Sequence, residues 1–461
     1  MSLLTPGAVA SPFAPGPDAP REEDLSRCVH CGLCLMSCPT FVETGLEPES
    51  PRGRIYLIRA VQEGRIPLSE TVVDHLELCL GCRNCEAVCP SGVPYGRIIE
   101  TARAQILHRA EEMPRSYRLR ARVLRALFPH PARIRLLAEL LRLYQAGGIQ
   151  RLVRRSKLLR LLPRALREME ELTPSVSRRF FRVKRGVARA RGRATARVAF
   201  FAGCIMPYSN AETQRATMRV LRRAGCDVLT PVAQGCCGAL LVHNGDREAA
   251  RALARRNIDA FLDSGAETFV VNAAGCGSTL KEYGELLADD PAYAARAMEF
   301  EHRVQDVTEF LASRPLPEGL GTVTARVTYQ DSCHLAHAQR VKEAPRQLLR
   351  AIPGVELVEM PNADRCCGSA GIYNVVQREM SARLLRSKMA EVEEVNPEII
   401  VTANPGCMIQ LETGVRRAGL KAEVLHVVDL LDRAYQAGER SGEPGAMNRA
   451  PTSGAPWTAR R

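Results

Sequence analysis

The chain has 461 residues, 46% apolar and 25% charged, with a net charge of +13 and 17 cysteines. That length supports two or three domains with their own cores, and no run approaches the roughly 18 uninterrupted apolar residues of a membrane span. The opening stretch MSLLTPGAVASPFAPGPDAP has neither the basic start nor the apolar centre of a secretory signal. The expected location is therefore cytoplasmic, where thiols stay reduced and many cysteines point to metal ligation, not disulfides.

Residues 1–20, rich in Pro and Ala, are expected to form a disordered tail. Residues 21–112 carry one motif twice. CVHCGLCLMSCP supplies Cys28, Cys31, Cys34, Cys38 and Pro39; CLGCRNCEAVCP supplies Cys79, Cys82, Cys85, Cys89 and Pro90. Both read C-x2-C-x2-C-x3-C-P, the two-cluster ferredoxin spacing, in which three thiolates of a tight loop bind one cubane and the fourth binds the other. This assigns Cys28, Cys31, Cys34 and Cys89 to one [4Fe–4S] cluster, and Cys79, Cys82, Cys85 and Cys38 to a second. Zinc is the competing occupant, but it needs only four ligands and commonly two C-x-x-C hooks, not two full copies. Between the motifs, GLEPESPRGRIYLIRAVQEG reads as helical from Arg54. Arg52 and Arg54 are candidates for contact with a cluster or a partner, with surface solvation as the alternative.

Residues 113–196 read as a basic helical linker. Between Pro114 and Arg197 stand 24 Lys/Arg against 4 Asp/Glu, which leaves the rest of the chain at −7. Helices such as ARIRLLAELLRLYQ are expected to turn arginines to water and leucines inward. An anionic partner, or peripheral contact with the inner face of a membrane, is the alternative. Without aromatic interleaving or a reading motif, nucleic-acid binding is not expected.

Residues 197–320 and 321–437 form a duplication: Cys204, Cys236, Cys237 and Cys276 recur about 130 residues on as Cys333, Cys366, Cys367 and Cys407. In each half, apolar strands such as RVAFF and TFVVNA alternate with helical runs, predicting a buried parallel sheet whose carboxyl edge gathers the four cysteines. Adjacent cysteines do not bridge easily, since neighbouring Cα atoms lie about 3.8 Å apart, below the usual disulfide span. Each quartet is therefore a candidate metal or cluster site, with reduced packing cysteines as the alternative. Gly238 and Gly368 are expected to give a tight turn with room for a bulky inorganic ligand. His334 and His337 are candidates to supplement the second quartet, although capping or packing is the commoner role for such histidines. Cys226, which has no counterpart, reads as structural. Residues 438–461 are expected to be a second disordered tail. The fold class is thus an α+β multidomain chain: a helical two-[4Fe–4S] ferredoxin-like domain, a basic helical linker, and a duplicated α/β Cys-Cys-Gly domain with parallel sheets.

No dinucleotide fingerprint, P-loop or nucleophile elbow is present, so the chain is expected to move electrons for another subunit and to catalyse nothing alone. From about Cys28 to Leu431 it resembles the iron–sulfur subunit of bacterial glycolate oxidase (glycolate dehydrogenase), through CVHCGLC, PRGRIYLI, CRNCEAVCPSGV, GCCGA, GCGSTLKEYG, CCGSAGIYN and IVTANPGC. The ferredoxin motif followed by two cysteine-rich domains also resembles subunits of lactate utilisation, anaerobic glycerol-3-phosphate dehydrogenase and heterodisulfide reductase. The resemblance implies FAD-binding partner subunits that oxidise glycolate to glyoxylate, with electrons leaving through this chain to a quinone-type or other acceptor. D-lactate or glycerol-3-phosphate as substrate, or a thiol/disulfide reductase, are the alternatives. One departure matters. Heterodisulfide-reductase-type domains end in Cys-x-x-Cys, whereas here Cys276 is followed by Gly277, Ser278 and Thr279, and Cys407 by Met408, Ile409 and Gln410. The five-thiolate cluster of that family is therefore not carried over; a four-cysteine cubane, zinc or no metal stay open for each quartet.

Overall fold

The computed structural model describes residues 13–155, 170 and 173–442. Helices Pro51–Gln62, Glu70–Glu77 and Tyr95–His108 build the cysteine-rich amino-terminal part. The first two start on the serine side chains of Ser50 and Ser69, which accept from the backbone amides of Gly53 and Val72. Their apolar residues recur at three- and four-residue spacing, so Ile55, Ile58, Val72, Leu76, Ile98, Ala102 and Ile106 meet in one core. Residues 1–12 of the expected first tail lie outside the described residues. From Phe13 on, that stretch packs instead: Phe13 enters the same core, and Asp18 pairs with Arg247 and Arg251 at 2.7 and 2.6 Å. The Pro- and Ala-rich composition conceals these two anchors.

The linker forms helices Arg115–Leu127, Pro131–Ala146 and Ile149–Arg155. Leu124, Phe128, Ile134 and Ala138 face inward. The expectation of inward leucines fails for the rest: Leu119, Val123, Leu136, Leu137, Leu140 and Leu143 are each more than half exposed. The inner face is narrower than the apolar stripe: Arg120 sits on it, paired to Glu77 at 2.6 Å, while the exposed Arg125 reaches Asp246 at 2.7 Å.

The linker ends in a short strand, β1 (Val187–Ala188), antiparallel to the later strand Cys226–Leu229. The first repeat contributes β2 (Ala196–Phe201), β3 (Cys226–Leu229), β4 (Thr268–Val271) and β5 (Val304–Asp306), in the order β1-β3-β2-β4-β5 and parallel from β3 onward. The second contributes β6 (Ala325–Tyr329), β7 (Val355–Leu357), β8 (Ile399–Thr402) and β9 (Glu423–His426), all parallel in the order β7-β6-β8-β9. The expected duplication of parallel sheets is therefore present, with helices on both faces as buried parallel strands require. Cys226 opens β3, fully buried in the core that Val198 and Phe200 share with Val327 and Tyr329. One core thus serves both repeats. The last helix, Val427–Gly442, runs past Gly438; residues 443–461 lie outside the described residues.

His426 links the halves. Its Nε2–H donates to the Asn272 carbonyl at 2.9 Å, and its Nδ1 accepts from the Val428 amide at 3.2 Å. Burial pushes its pKa down to about 4, whereas an unfolded histidine takes up a proton near pH 6.5. Stability present above pH 6.5 is therefore lost as the pH falls through that window, by about 3 kcal/mol, and the loss levels off below pH 4. Buried Asp306 and Asp429, whose carboxyls are raised to about 6, act in the opposite direction. Denaturant midpoints at pH 7 and pH 4.5 should separate further for the native chain than for His426→Gln; equal separations would remove His426 from the acid response.

Candidate metal centres

Each half of the ferredoxin-type region ends its cysteine loop on a helix. Cys38 precedes Pro39, the first residue of Pro39–Thr44, where proline's fixed φ starts the helix without losing a bonded amide. Cys85 sits on Asn84–Ala87, which follows Arg83 in the left-handed region. The chain then folds so that each fourth cysteine crosses to the other loop. Cys28, Cys31, Cys34 and Cys89 ring one cavity, with Arg52 at its wall. Cys38, Cys79, Cys82 and Cys85 ring the second, with Arg54 and Tyr95. Cys85 lines both.

All seventeen cysteines are free thiols. Burial pushes Cys82 and Cys85 well above the ordinary thiol range, and Cys34 up to about 11. Burial thus favours the protonated thiols, and a bound cation would draw off those protons. Among the described residues no group of three or more His, Cys, Asp or Glu is arranged to hold a single metal ion. A cubane differs in spreading its four thiolates over four irons, and the paired thiol-ringed cavities fit that group. Arg54 stands beside the second cavity. Burial opposes its charge, but the Cys79 and Cys38 thiols and the Glu49 carboxylate outweigh this and hold it cationic. Tyr95 donates to Cys79 Sγ at 3.6 Å.

In the repeats each quartet forms a string of sulfur contacts in the same order: Cys204 to Cys236 to Cys237 to Cys276, and Cys333 to Cys366 to Cys367 to Cys407. Cys237 and Cys276 approach to 3.1 Å. Neighbouring thiols and burial together raise Cys366 and Cys407 well above the ordinary range. The glycine after each pair has φ of +89° (Gly238) or +86° (Gly368), a conformation L side chains rarely adopt. A Cβ there would meet Ala250 Cβ at 3.3 Å or Ser381 O at 2.9 Å. Each turn is therefore tight, with the space behind the glycine filled by the packed helix Arg247–Leu262 or Arg378–Val395.

The two quartets face one another across a single cavity of about 280 Å³ that also reaches Cys79. Both sheet edges meet there, tied by the Ala274 amide to the Ala403 carbonyl at 3.1 Å. The ferredoxin-type region closes on the second quartet. Leu80 and Cys82 share an apolar cluster with Cys366 and Tyr373, and Tyr373 donates its hydroxyl to Leu78 O at 2.9 Å. His334 lines the cavity, but its Nε2–H donates to Gly81 O at 3.0 Å; burial and the adjacent His243 ring push its pKa down to about 3. His337 is not on the lining and donates to Asp364 O at 2.9 Å. Sequence reasoning missed Arg103, which donates to Cys79 O at 2.6 Å and to His243 O at 3.0 Å. It also missed His243 itself. Each lies in an ordinary helical pattern that carries no signal of the role.

Three family models cover this architecture: a 4Fe-4S dicluster domain at residues 24–93, and a cysteine-rich domain twice, at 198–281 and 327–412, with a linker between them. The molecule is thus an iron–sulfur protein that joins a dicluster domain to a duplicated cysteine-rich domain. The linker, residues 117–173, matches a model described as the linker region of the glycolate oxidase iron–sulfur subunit. The chain is 45% identical to a probable glycolate oxidase iron–sulfur subunit of Bacillus subtilis, and 35% identical to the glycolate oxidase iron–sulfur subunit of Escherichia coli; each match covers 89% of this chain and 94% of the relative. It belongs to the family of glycolate oxidase iron–sulfur subunits. A fumarate reductase (CoM/CoB) subunit from Methanothermobacter marburgensis is 29% identical over 91% of this chain and 74% of its own length.

Proposed function

We propose that this chain is the electron-transfer subunit of a flavin-dependent glycolate dehydrogenase complex. FAD-binding partners would oxidise glycolate to glyoxylate, and this chain would pass the electrons to a quinone-type acceptor. Cys28, Cys31, Cys34 and Cys89 would hold one [4Fe–4S] cluster, and Cys79, Cys82, Cys85 and Cys38 the other. When bound, such clusters supply reversible one-electron transfer. The crossed pairing of the two thiol-ringed cavities carries this reading. The exposed Cys31 is flanked by Val29, Leu33 and Met36, which are 68%, 63% and 73% exposed, an apolar skirt suited to docking the flavoprotein. The outward leucines of the arginine-rich linker suit peripheral contact with an anionic membrane; no helix among the described residues is long and apolar enough to cross one.

The quartets of the repeats are proposed to hold further iron–sulfur clusters, because a string of four soft thiolates against a second cysteine-rich centre suits continued electron flow. Iron and acid-labile sulfide on anaerobically purified chain test both levels. About eight irons would match the dicluster region alone, and about sixteen both quartets as well. Fewer than about eight, with stoichiometric zinc, would sink the electron-transfer reading.

A further inference from the structure

The large cavity extends well beyond its cysteines. Past the sulfurs its wall is largely apolar, with Ile205, Leu240, Ile372 and Val376, and His243, Arg120, Asn244 and Gln377 are among its polar members. Gly371 and Val376 are exposed, so the cavity opens to solvent at that rim. Small-molecule sites have this make-up: apolar walls with a few placed polar groups. We propose that this outer part of the cavity binds the electron acceptor, and that the acceptor is a quinone entering with its headgroup ring. The inference rests on the electron-transfer reading above and adds where the electrons leave.

Three observations converge on that class of ligand. The volume is near the lower end for small-molecule sites, and the inner end belongs to the thiol strings, so a flat single ring fits and a bulky polar substrate does not. His243 is held by its Nδ1–H, which donates to Glu100 Oε1 at 2.8 Å, and is braced edge-to-face on His334 at 5.0 Å between ring centroids. That leaves Nε2 as the ring atom able to accept a hydrogen bond from a hydroquinone hydroxyl. Finally, Arg120 stands on Arg115–Leu127, the helix whose Leu119 and Val123 face outward among arginines. A basic helix with outward apolar side chains suits an anionic bilayer surface, the phase in which a lipid-soluble acceptor travels.

The reaction balances without a bond to the chain. The quinone takes two electrons, supplied by oxidation of the 2-hydroxy acid on the flavoprotein partner, and two protons from water at the open rim, and leaves as the hydroquinone. His243 acts as a positioning residue, and Arg120, paired to Glu77, braces the wall beside it.

The test uses the assembled complex with ubiquinone-1, and ferricyanide as an acceptor that needs no cavity. Val376→Trp and Ile372→Trp should each lower ubiquinone-1 reduction about tenfold or more, leaving ferricyanide reduction and iron content unchanged. An azidobenzoquinone photolabel on the native complex should mark residues 239–244 or 371–377, with ubiquinone-1 protecting, and this arm decides the matter should either tryptophan variant fail to assemble. A native complex that reduces ubiquinone-1, combined with unaffected tryptophan variants or a label elsewhere, overturns the site alone. A native complex that reduces ferricyanide but no quinone overturns the acceptor reading and the site together.

Discussion

Replacing Cys85 by serine should stop electron flow from the flavoprotein to quinone, lowering it on the order of a hundredfold or more, since even outer-shell changes around metal ligands cost 10–100-fold. Cys85 is the sensitive choice because it lines both thiol-ringed cavities. A serine hydroxyl there is a poor iron ligand, and its loss perturbs the neighbouring centre as well. Oxidation of glycolate with a dye that accepts electrons directly from the flavin should continue, because in the proposed complex that chemistry would lie on the partner. Cys226→Ser is the control: Cys226 is also buried but sits in the core shared by the repeats, lining none of these cavities. Quinone reduction at the native rate in a Cys85→Ser complex with unchanged iron would refute the proposed ligand role.

Why the cysteines could be read from the sequence while their neighbours could not has a physical basis. A cubane imposes fixed short spacings on its ligands, so C-x2-C-x2-C-x3-C-P is visible in one dimension. The crossing of Cys38 and Cys89 to opposite loops follows from the same rule. The repeat was legible because buried parallel strands are apolar throughout, and VAFF and FVV stand out between arginine-rich helices. His243, Arg103 and Glu100 were not legible, since their placement depends on how the ferredoxin-type region docks on the repeats. That docking is carried by single bonds between residues far apart in the chain, such as Tyr373 to Leu78 and Arg103 to His243. The linker misled for a related reason: an amphipathic pattern shows that a helix has an apolar face, not that this chain covers it. For Gly238 and Gly368 the residue type was informative, but the positive φ and the packed helix behind it show only in the fold.

The largest stability effect is expected at Arg54, a residue the motif spacing leaves out. It is 1% exposed and saturated with acceptors. Its Nε donates to His75 O at 2.7 Å, its Nη1 to Glu49 O at 2.7 Å and to Thr40 Oγ1 at 3.2 Å, and its Nη2 to Glu49 Oε2 at 2.5 Å. Thr40 Oγ1 in turn lies 3.3 Å from Cys38 Sγ. One guanidinium thus joins the end of the first motif to the helix before the second, and places a positive charge beside thiolates that carry negative charge when ligating. Arg54→Met keeps much of the volume but leaves the Glu49 carboxylate buried with only the His75 ring, at 2.6 Å, as a side-chain partner. Removing one partner of a buried pair costs about 3–5 kcal/mol, and lysine cannot replace a fork that serves four acceptors at once. Urea unfolding of the iron-loaded chain should show that loss for Arg54→Met and a substantial part of it for Arg54→Lys. The double variant Arg54→Met with Glu49→Gln should recover part of it, because the stranded carboxylate is then gone. A cluster held in the cavity beside Arg54 should also become harder to reduce, since its reduced state would lose an adjacent cation, and a redox titration should show a lower potential for one centre only. Unfolding of Arg54→Met at the native urea midpoint would mean that the pair contributes nothing net, its desolvation cancelling its attraction.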